Sequence, residues 1–338
     1  MNCFILSKNN LNDFLAALDS YELFVPIRKN GITVLAHIDD PLAIKLDLTS
    51  QPYLVKQTIF PQTESLFTFD RKKGIKAPSF ETNHKSQVVF GIRSCDARGF
   101  CIIDPVFEED YPDPYYIHKR KSTILIGLQC IEPFTNCFCT SVGGSPSSTE
   151  GLDLQFTDIG ESYFVEVITQ KGEEIIKVTA PFLSCPDKNQ SVKKDEVKKD
   201  AEQKVKRKID VNQLSQKIEQ IFEDSVWSDL AEKCISCGIC TFFCPTCYCF
   251  DIQDEIIRGK GKRLRTWDSC MYSEYTAHAS GYNPRPTRME RLRNRIYHKF
   301  KQNIDRYGVS GCVGCGRCIT LCPSNEDIVE NIETLQRL

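Results

Sequence analysis

Eight cysteines of this 338-residue chain fall in two matching runs. The first is Cys234-Ile-Ser-Cys237-Gly-Ile-Cys240-Thr-Phe-Phe-Cys244-Pro245, the second Cys312-Val-Gly-Cys315-Gly-Arg-Cys318-Ile-Thr-Leu-Cys322-Pro323. Both follow C-x2-C-x2-C-x3-C-P, the spacing that wraps a cubane 4Fe-4S cluster. Three thiolates on one tight turn reach three irons of one cube, and the fourth points to the cube held by the other run. One cluster is therefore expected on Cys234, Cys237, Cys240 and Cys322, and the other on Cys312, Cys315, Cys318 and Cys244. Structural zinc sites use cysteine pairs separated by a longer spacer, not four in one run. Disulfides need an oxidising compartment, and Met1-Asn-Cys-Phe-Ile-Leu-Ser-Lys lacks a signal-peptide pattern. Eighteen cysteines in an unexported chain point to metal, a reducing cytoplasm and an oxygen-avoiding, anaerobic setting.

A second set is less regular. Apolar runs Ser86-Gln-Val-Val-Phe-Gly-Ile-Arg and Thr123-Ile-Leu-Ile-Gly-Leu read as buried strands that end near Cys95 and Cys130, with Cys137 and Cys139 close behind. Parallel strands that deliver side chains at one sheet end make a common kind of site. The spacing of Cys95, Cys130, Cys137 and Cys139 matches no ferredoxin run, so a third cluster and buried inert thiols both stand. Cys3, Cys101 and Cys185 read as packing. Cys247, Cys249 and Cys270 follow the first run closely and read as neighbours of a cluster, or as an extra ligand set or redox-active thiols.

The elements that must position these residues give an α+β reading. Residues 1–186 form an N-terminal mixed α/β domain, 187–210 a charged linker, and 211–338 an alpha-helical dicluster ferredoxin domain. In the first part, Asn10-Leu-Asn-Asp-Phe-Leu-Ala-Ala-Leu has helical spacing, while Tyr21–Pro26 and Gly31–His37 read as strands. Asp153–Asp158, Ser162–Thr169 and Glu174–Val178 read as antiparallel strands, the last two joined by a hairpin at Lys171-Gly172. Residues 187–208 hold nine Lys or Arg and five Asp or Glu, the composition of a solvated helix or mobile linker. Cys312 follows Cys244 by 68 positions, and the stretch between reads mostly helical over Asp251–Arg258, 268–278 and 288–307. His37, His84 and His118 are scattered and carry no chemistry by themselves.

Arg285, Arg288, Arg291, Arg293, Arg295, Lys299 and Lys301 make a cationic stretch with one acid, Glu290. Four thiolates leave a cubane negative, so nearby arginines would neutralise it and raise its potential. Arg288, Arg291 and Arg293 are taken as those neighbours. An RNA patch is the weaker reading, because few aromatics accompany the charges and the net charge is −2. No apolar run approaches a membrane span.

Gly91-Ile-Arg-Ser-Cys95-Asp96, Cys130-Ile-Glu-Pro-Phe-Thr-Asn-Cys137-Phe-Cys139, Cys244-Pro-Thr-Cys-Tyr-Cys-Phe, Trp267-Asp-Ser-Cys270 and Cys312-Val-Gly-Cys-Gly-Arg-Cys occur in one order. Together they resemble the iron–sulfur subunit shared by sulfhydrogenase-type nickel–iron hydrogenases, where it is the beta subunit, and anaerobic sulfite reductases. The resemblance covers nearly the whole chain and does not separate the two branches. It implies a helical dicluster ferredoxin domain behind an N-terminal domain, and favours the third cluster on Cys95, Cys130, Cys137 and Cys139. It also implies a hetero-oligomer with a flavin subunit that oxidises NAD(P)H and a separate catalytic redox subunit. The resulting expectation is an electron conduit in which no residue acts as acid, base or nucleophile. No Gly-rich dinucleotide fingerprint, phosphate loop or HExxH helix is present. The rival reading is a catalytic sulfur or disulfide reductase that uses Cys247, Cys249, Cys270 or an open cluster.

Overall fold

The chain is described by a computed structural model at residues 3–41, 53–77 and 85–338. Two strands organise its first half. β6 (Gln87–Ile92) and β7 (Thr123–Leu128) are buried at every position, as near-continuous apolar strands covered on both faces must be. They lie parallel to each other, and β2 (Glu22–Lys29) and β8 (Leu154–Asp158) extend the parallel set on either side. Antiparallel strands finish both edges: β3 (Ile32–Ile38) beside β2, then β9 (Ser162–Val167), β1 (Cys3–Ser7) and β10 (Leu183–Ser184) beyond β8. The helix α1 (Leu11–Ala16) buries Leu11, Phe14 and Leu15 against this sheet's core.

Between β6 and β7 run α2 (Ser94–Glu108) and α3 (Pro114–Ser122). Cys95 thus sits in the first turn of a helix. Glu174–Val178 is also not a strand. Residues Gln170–Thr179 form α4, capped by Thr169, whose side chain accepts from Gly172 N. Gly172, Ile175, Ile176 and Thr179 are its buried positions, the three-and-four spacing of one helical face. The Ile-Ile pair mimics strand composition, but the cap and that spacing decide.

The lysine-rich segment is an ordered helix, α5 (Lys188–Lys204), opened by a capping box of Asp187 and Gln190. Lys194 pairs with the buried Glu166 of β9 at 3.3 Å, and Lys204 Nζ donates to Ile131 O at 3.2 Å. The helix therefore lies on the sheet and ends on the loop that carries Cys130.

The stretch between the two cysteine runs departs most from a helical reading. β11 (Phe250–Ile257) and β12 (Lys260–Trp267) form a hairpin. Arg258 and Gly259, with φ of 52° and 78°, make its two-residue turn, the left-handed pair that matches strand twist. β12 then pairs with β4 (Thr63–Asp70) and so joins β5 (Gly74–Lys76) in a second sheet, of order β11-β12-β4-β5. Residues 268–278 hold turns and one short 3-10 segment, Glu274–Thr276. Helix returns where expected, as α9 (Arg288–Tyr297), a π-helical segment His298–Gln302 and α10 (Asn303–Tyr307). Chain order around these completes the C-terminal part: α6 (Leu214–Gln220), α7 (Val226–Leu230), α8 (Ile239–Phe242), α11 (Arg317–Thr320) and α12 (Ile328–Arg337). Their shared core contains Trp227, Leu292, Ile296, Phe300 and Ile332, and also Phe138 from between Cys137 and Cys139.

Candidate metal centres

Each cysteine run folds the same way. In the first, Ser236 and Gly238 take positive φ (57° and 77°); in the second, Gly314 and Gly316 do (65° and 70°). Two left-handed residues flanking the second cysteine curl the backbone so that three thiols face one point. A one-turn helix then follows, α8 or α11, and a Cys-Pro step ends it. Gly314 is needed for a further reason: a Cβ there would lie 2.6 Å from Cys139 N.

Cys234, Cys237, Cys240 and Cys322 line one cavity, with Leu292 and Arg295 on its wall. Cys312, Cys315, Cys318 and Cys244 line a second, with Arg295 and Lys299. Each cavity thus draws cysteines from both runs. Cys318 and Arg295 border both cavities, so the two are neighbours. No three His, Cys, Asp or Glu side chains among the described residues converge as ligands of one ion would. The thiols instead ring a space, as they would around an inorganic core.

The surroundings fit such a core. Lys299 Nζ donates to Cys244 Sγ at 3.2 Å, Glu326 N to Cys322 Sγ at 3.2 Å and Gly314 N to Cys312 Sγ at 3.4 Å. Burial pushes the Cys240 and Cys312 thiols up to about 11, against the pull of Arg295 on the first and Lys299 on the second. Buried thiolates therefore need more positive charge than the protein supplies. Arg295 is buried, yet its Nε and Nη2 have no hydrogen-bond partner among the described residues. Donors left open beside eight sulfurs are suited to cluster sulfide or thiolate.

The basic stretch serves the site differently from expectation. Arg288 is exposed at the start of α9. Arg293 turns away: its Nη1 donates to Phe222 O at 2.6 Å, it pairs with Glu223, and it stacks on the Phe222 ring. Arg291 reaches the first run only through Ser236 Oγ, at 3.2 Å. Arg295 and Lys299 hold the places assigned to Arg288 and Arg293. The missed signal was periodic, since Arg291, Arg295 and Lys299 recur every four residues on the buried face of one helical stretch.

Cys95, Cys137 and Cys139 each lie within electrostatic reach of Cys130. Burial drives Cys137 up to about 12 and Cys139 up to about 11. This group abuts the second run. Cys137 Sγ donates to Cys315 O at 3.5 Å, Phe138 N to Gly314 O at 2.8 Å, and Asn136 Nδ2 to Thr320 Oγ1 at 3.1 Å. Beside Cys95, the Asp96 carboxylate takes both arms of the Arg317 guanidinium, the first at 2.5 Å, with both side chains almost fully buried. Sequence gave no hint that Arg317, inside a ligand turn, would meet a carboxylate 221 positions away.

Of the remaining thiols, Cys185 is exposed and does not pack, Cys3 is partly buried, and Cys101 sits in α2 against Gly151. His84 lies outside the described residues. Cys247, Cys249 and Cys270 border a separate cavity of about 220 Å³ beside Arg295 and Lys299. Lys56 of the N-terminal part reaches this region, where it donates to Cys247 O at 2.7 Å and lies 4.1 Å over the Trp267 ring.

Comparison with known proteins agrees with this geometry. Residues 233–326 match the family described as a 4Fe-4S dicluster domain. Over 317 residues the chain is 28% identical to Sulfhydrogenase 2 subunit beta of Pyrococcus furiosus, covering 94% of this chain and 92% of that one. A stretch of 105 residues is 31% identical to one subunit of the dihydromethanophenazine:CoB--CoM heterodisulfide reductase of Methanosarcina acetivorans and of Methanosarcina mazei. That stretch covers 31% of this chain and 23% of the reductase polypeptide. The expected resemblance to sulfhydrogenase beta subunits therefore holds over nearly the whole chain. No described helix is long and apolar enough to cross a membrane.

Proposed function

We propose that this chain, similar along nearly its full length to a sulfhydrogenase beta subunit, is the electron-transfer subunit of a hetero-oligomeric oxidoreductase. It relays single electrons between a subunit that oxidises NAD(P)H with a flavin and a catalytic partner of hydrogenase or sulfite reductase type. The observation that carries the reading is the pair of adjoining cavities, each lined by cysteines of both runs and sharing Cys318 and Arg295.

Cubane clusters on Cys234, Cys237, Cys240 and Cys322, and on Cys312, Cys315, Cys318 and Cys244, would supply one-electron redox chemistry. The chain's own part is to space and tune them. Lys299 and the amides of Gly314 and Glu326 donate to sulfur, which favours the more reduced state. Leu292, Phe138 and Ile328 keep water from the cavity walls. A third cubane on Cys95, Cys130, Cys137 and Cys139 is part of the proposal, supported by the contact of that group with the Cys312 turn. The working arrangement is an N-terminal unit (1–186), a joining segment (187–210) and a ferredoxin-like unit (211–338) in an anaerobic cytoplasm.

Iron and sulfide quantitation on anaerobically purified chain tests the cluster count. About twelve irons support three cubanes, and about eight restrict the relay to two. Co-purification of the native complex tests the partners, and a chain that folds and works free of iron would sink the relay.

A further inference from the structure

Cys247, Cys249 and Cys270 belong to none of the three cysteine groups above, yet they share their own cavity. Its wall also carries Tyr275, Arg285 and Lys299, and no Asp or Glu. Within it the three sulfurs differ. The Cys270 thiol and backbone and the Tyr275 hydroxyl lie near Cys249 and hold its thiol below the ordinary cysteine value. Such surroundings favour the thiolate, the nucleophilic form. Cys270 is buried beside it.

Sheet register builds this contact. Cys249 directly precedes β11 and Cys270 follows β12. Phe250 is paired with Trp267, and Asp268 N donates to Cys249 O at 3.0 Å. The two thiols are thus held side by side by a ladder, in a cavity whose charge is positive.

We propose that Cys249 and Cys270 form a redox-active dithiol that reduces an anionic, low-molecular-weight disulfide. The Cys249 thiolate attacks one sulfur of the disulfide; its S–S bond breaks, a bond to Cys249 forms, and the first thiolate leaves. Cys270 then loses its proton to solvent and attacks Cys249 Sγ. A Cys249–Cys270 bond forms and the second thiolate leaves. Two electrons and one proton return the pair to thiolate and thiol. The reductant is a one-electron iron–sulfur donor, and only for those electrons does the proposal rest on the relay reading.

The test uses the full chain with its clusters, kept anaerobic and treated with 5,5′-dithiobis(2-nitrobenzoate), an anionic disulfide. Peptide mass spectrometry should find a Cys249–Cys270 disulfide in the wild type. The Cys270→Ser variant should trap a mixed disulfide on Cys249, formed at least about tenfold faster than on the exposed Cys185. No adduct on Cys249 in that variant overturns the proposal. So does a loss of iron from both Cys249→Ser and Cys270→Ser, which would make these thiols cluster ligands. If the disulfide forms but photochemical reduction of the clusters fails to reopen it, the relay fails and the dithiol stands.

Discussion

A guanidinium buried among thiols, with two nitrogens lacking acceptors, costs several kcal/mol unless a negative partner compensates it. Arg295 is in that position, and it borders both ferredoxin cavities. Arg295→Met should therefore lower the potentials of both clusters, by on the order of tens of millivolts, in a redox titration followed by electron paramagnetic resonance. Arg293→Met should leave both potentials in place and cost about 1 kcal/mol or less, because its partner Glu223 is largely exposed. Equal shifts from the two variants would refute this division of roles. Cys249 offers a second residue-scale prediction. The neighbouring Cys270 brings its thiol down to about 6, below the usual cysteine value. The folded protein thus holds fewer protons here than the unfolded chain between that value and the ordinary one. The associated stability is present near pH 8 and is lost as pH falls through about 6, while the raised Cys270 thiol offsets it above the ordinary cysteine value. Alkylation of Cys249 by iodoacetamide should stay nearly constant from pH 8 to 7, whereas an ordinary thiol slows about tenfold over one unit. A rate at Cys249 that tracks Cys185 would contradict this influence of Cys270.

At the scale of elements, the decisive contact is α2 against α11. Asp96 and Arg317 are each almost fully buried and paired in two-armed geometry, so removing one partner strands a buried charge. Asp96→Asn should destabilise the protein by about 3–5 kcal/mol in denaturant unfolding. It should also loosen Cys95 against the Cys312 turn. A loss below about 1 kcal/mol would mean that solvent reaches the pair. The hairpin of β11 and β12 is the other element with consequence, since it seats Cys249 and Cys270 together and completes the sheet of β4. Its arginines continue that bond: Arg265 pairs with Glu64 of β4 and with Asp113, the cap of α3.

For the whole molecule, these links make the two halves interdependent. Phe138 packs in the C-terminal core, Trp267 donates to Phe60 O at 3.1 Å, and β12 needs β4 as its neighbour. Residues 211–338 expressed alone would leave β12 an open edge and uncover the Phe138 pocket. That fragment should unfold at a temperature at least about 5 °C below the full chain and lose iron more readily. Matching melting temperatures would show that the dicluster part is a self-standing domain.

Local rules carried the sequence far where chemistry is local. Ligand spacing within each run, the buried strands β6 and β7, and the helix over 288–307 are all set by residues close in the chain, and each is present in the fold. Expectation missed where a distant partner decided. Asp251–Arg258 has helix-compatible composition, but β4 offers a ladder and Arg258-Gly259 a turn, so strand wins. Arg295, not Arg288 or Arg293, meets the sulfurs because helix phase against a packed neighbour chooses which side chains point inward. The meeting of Asp96 with Arg317, and of the Cys137 loop with Gly314, was settled by long-range packing, for which no single stretch of sequence carries a code.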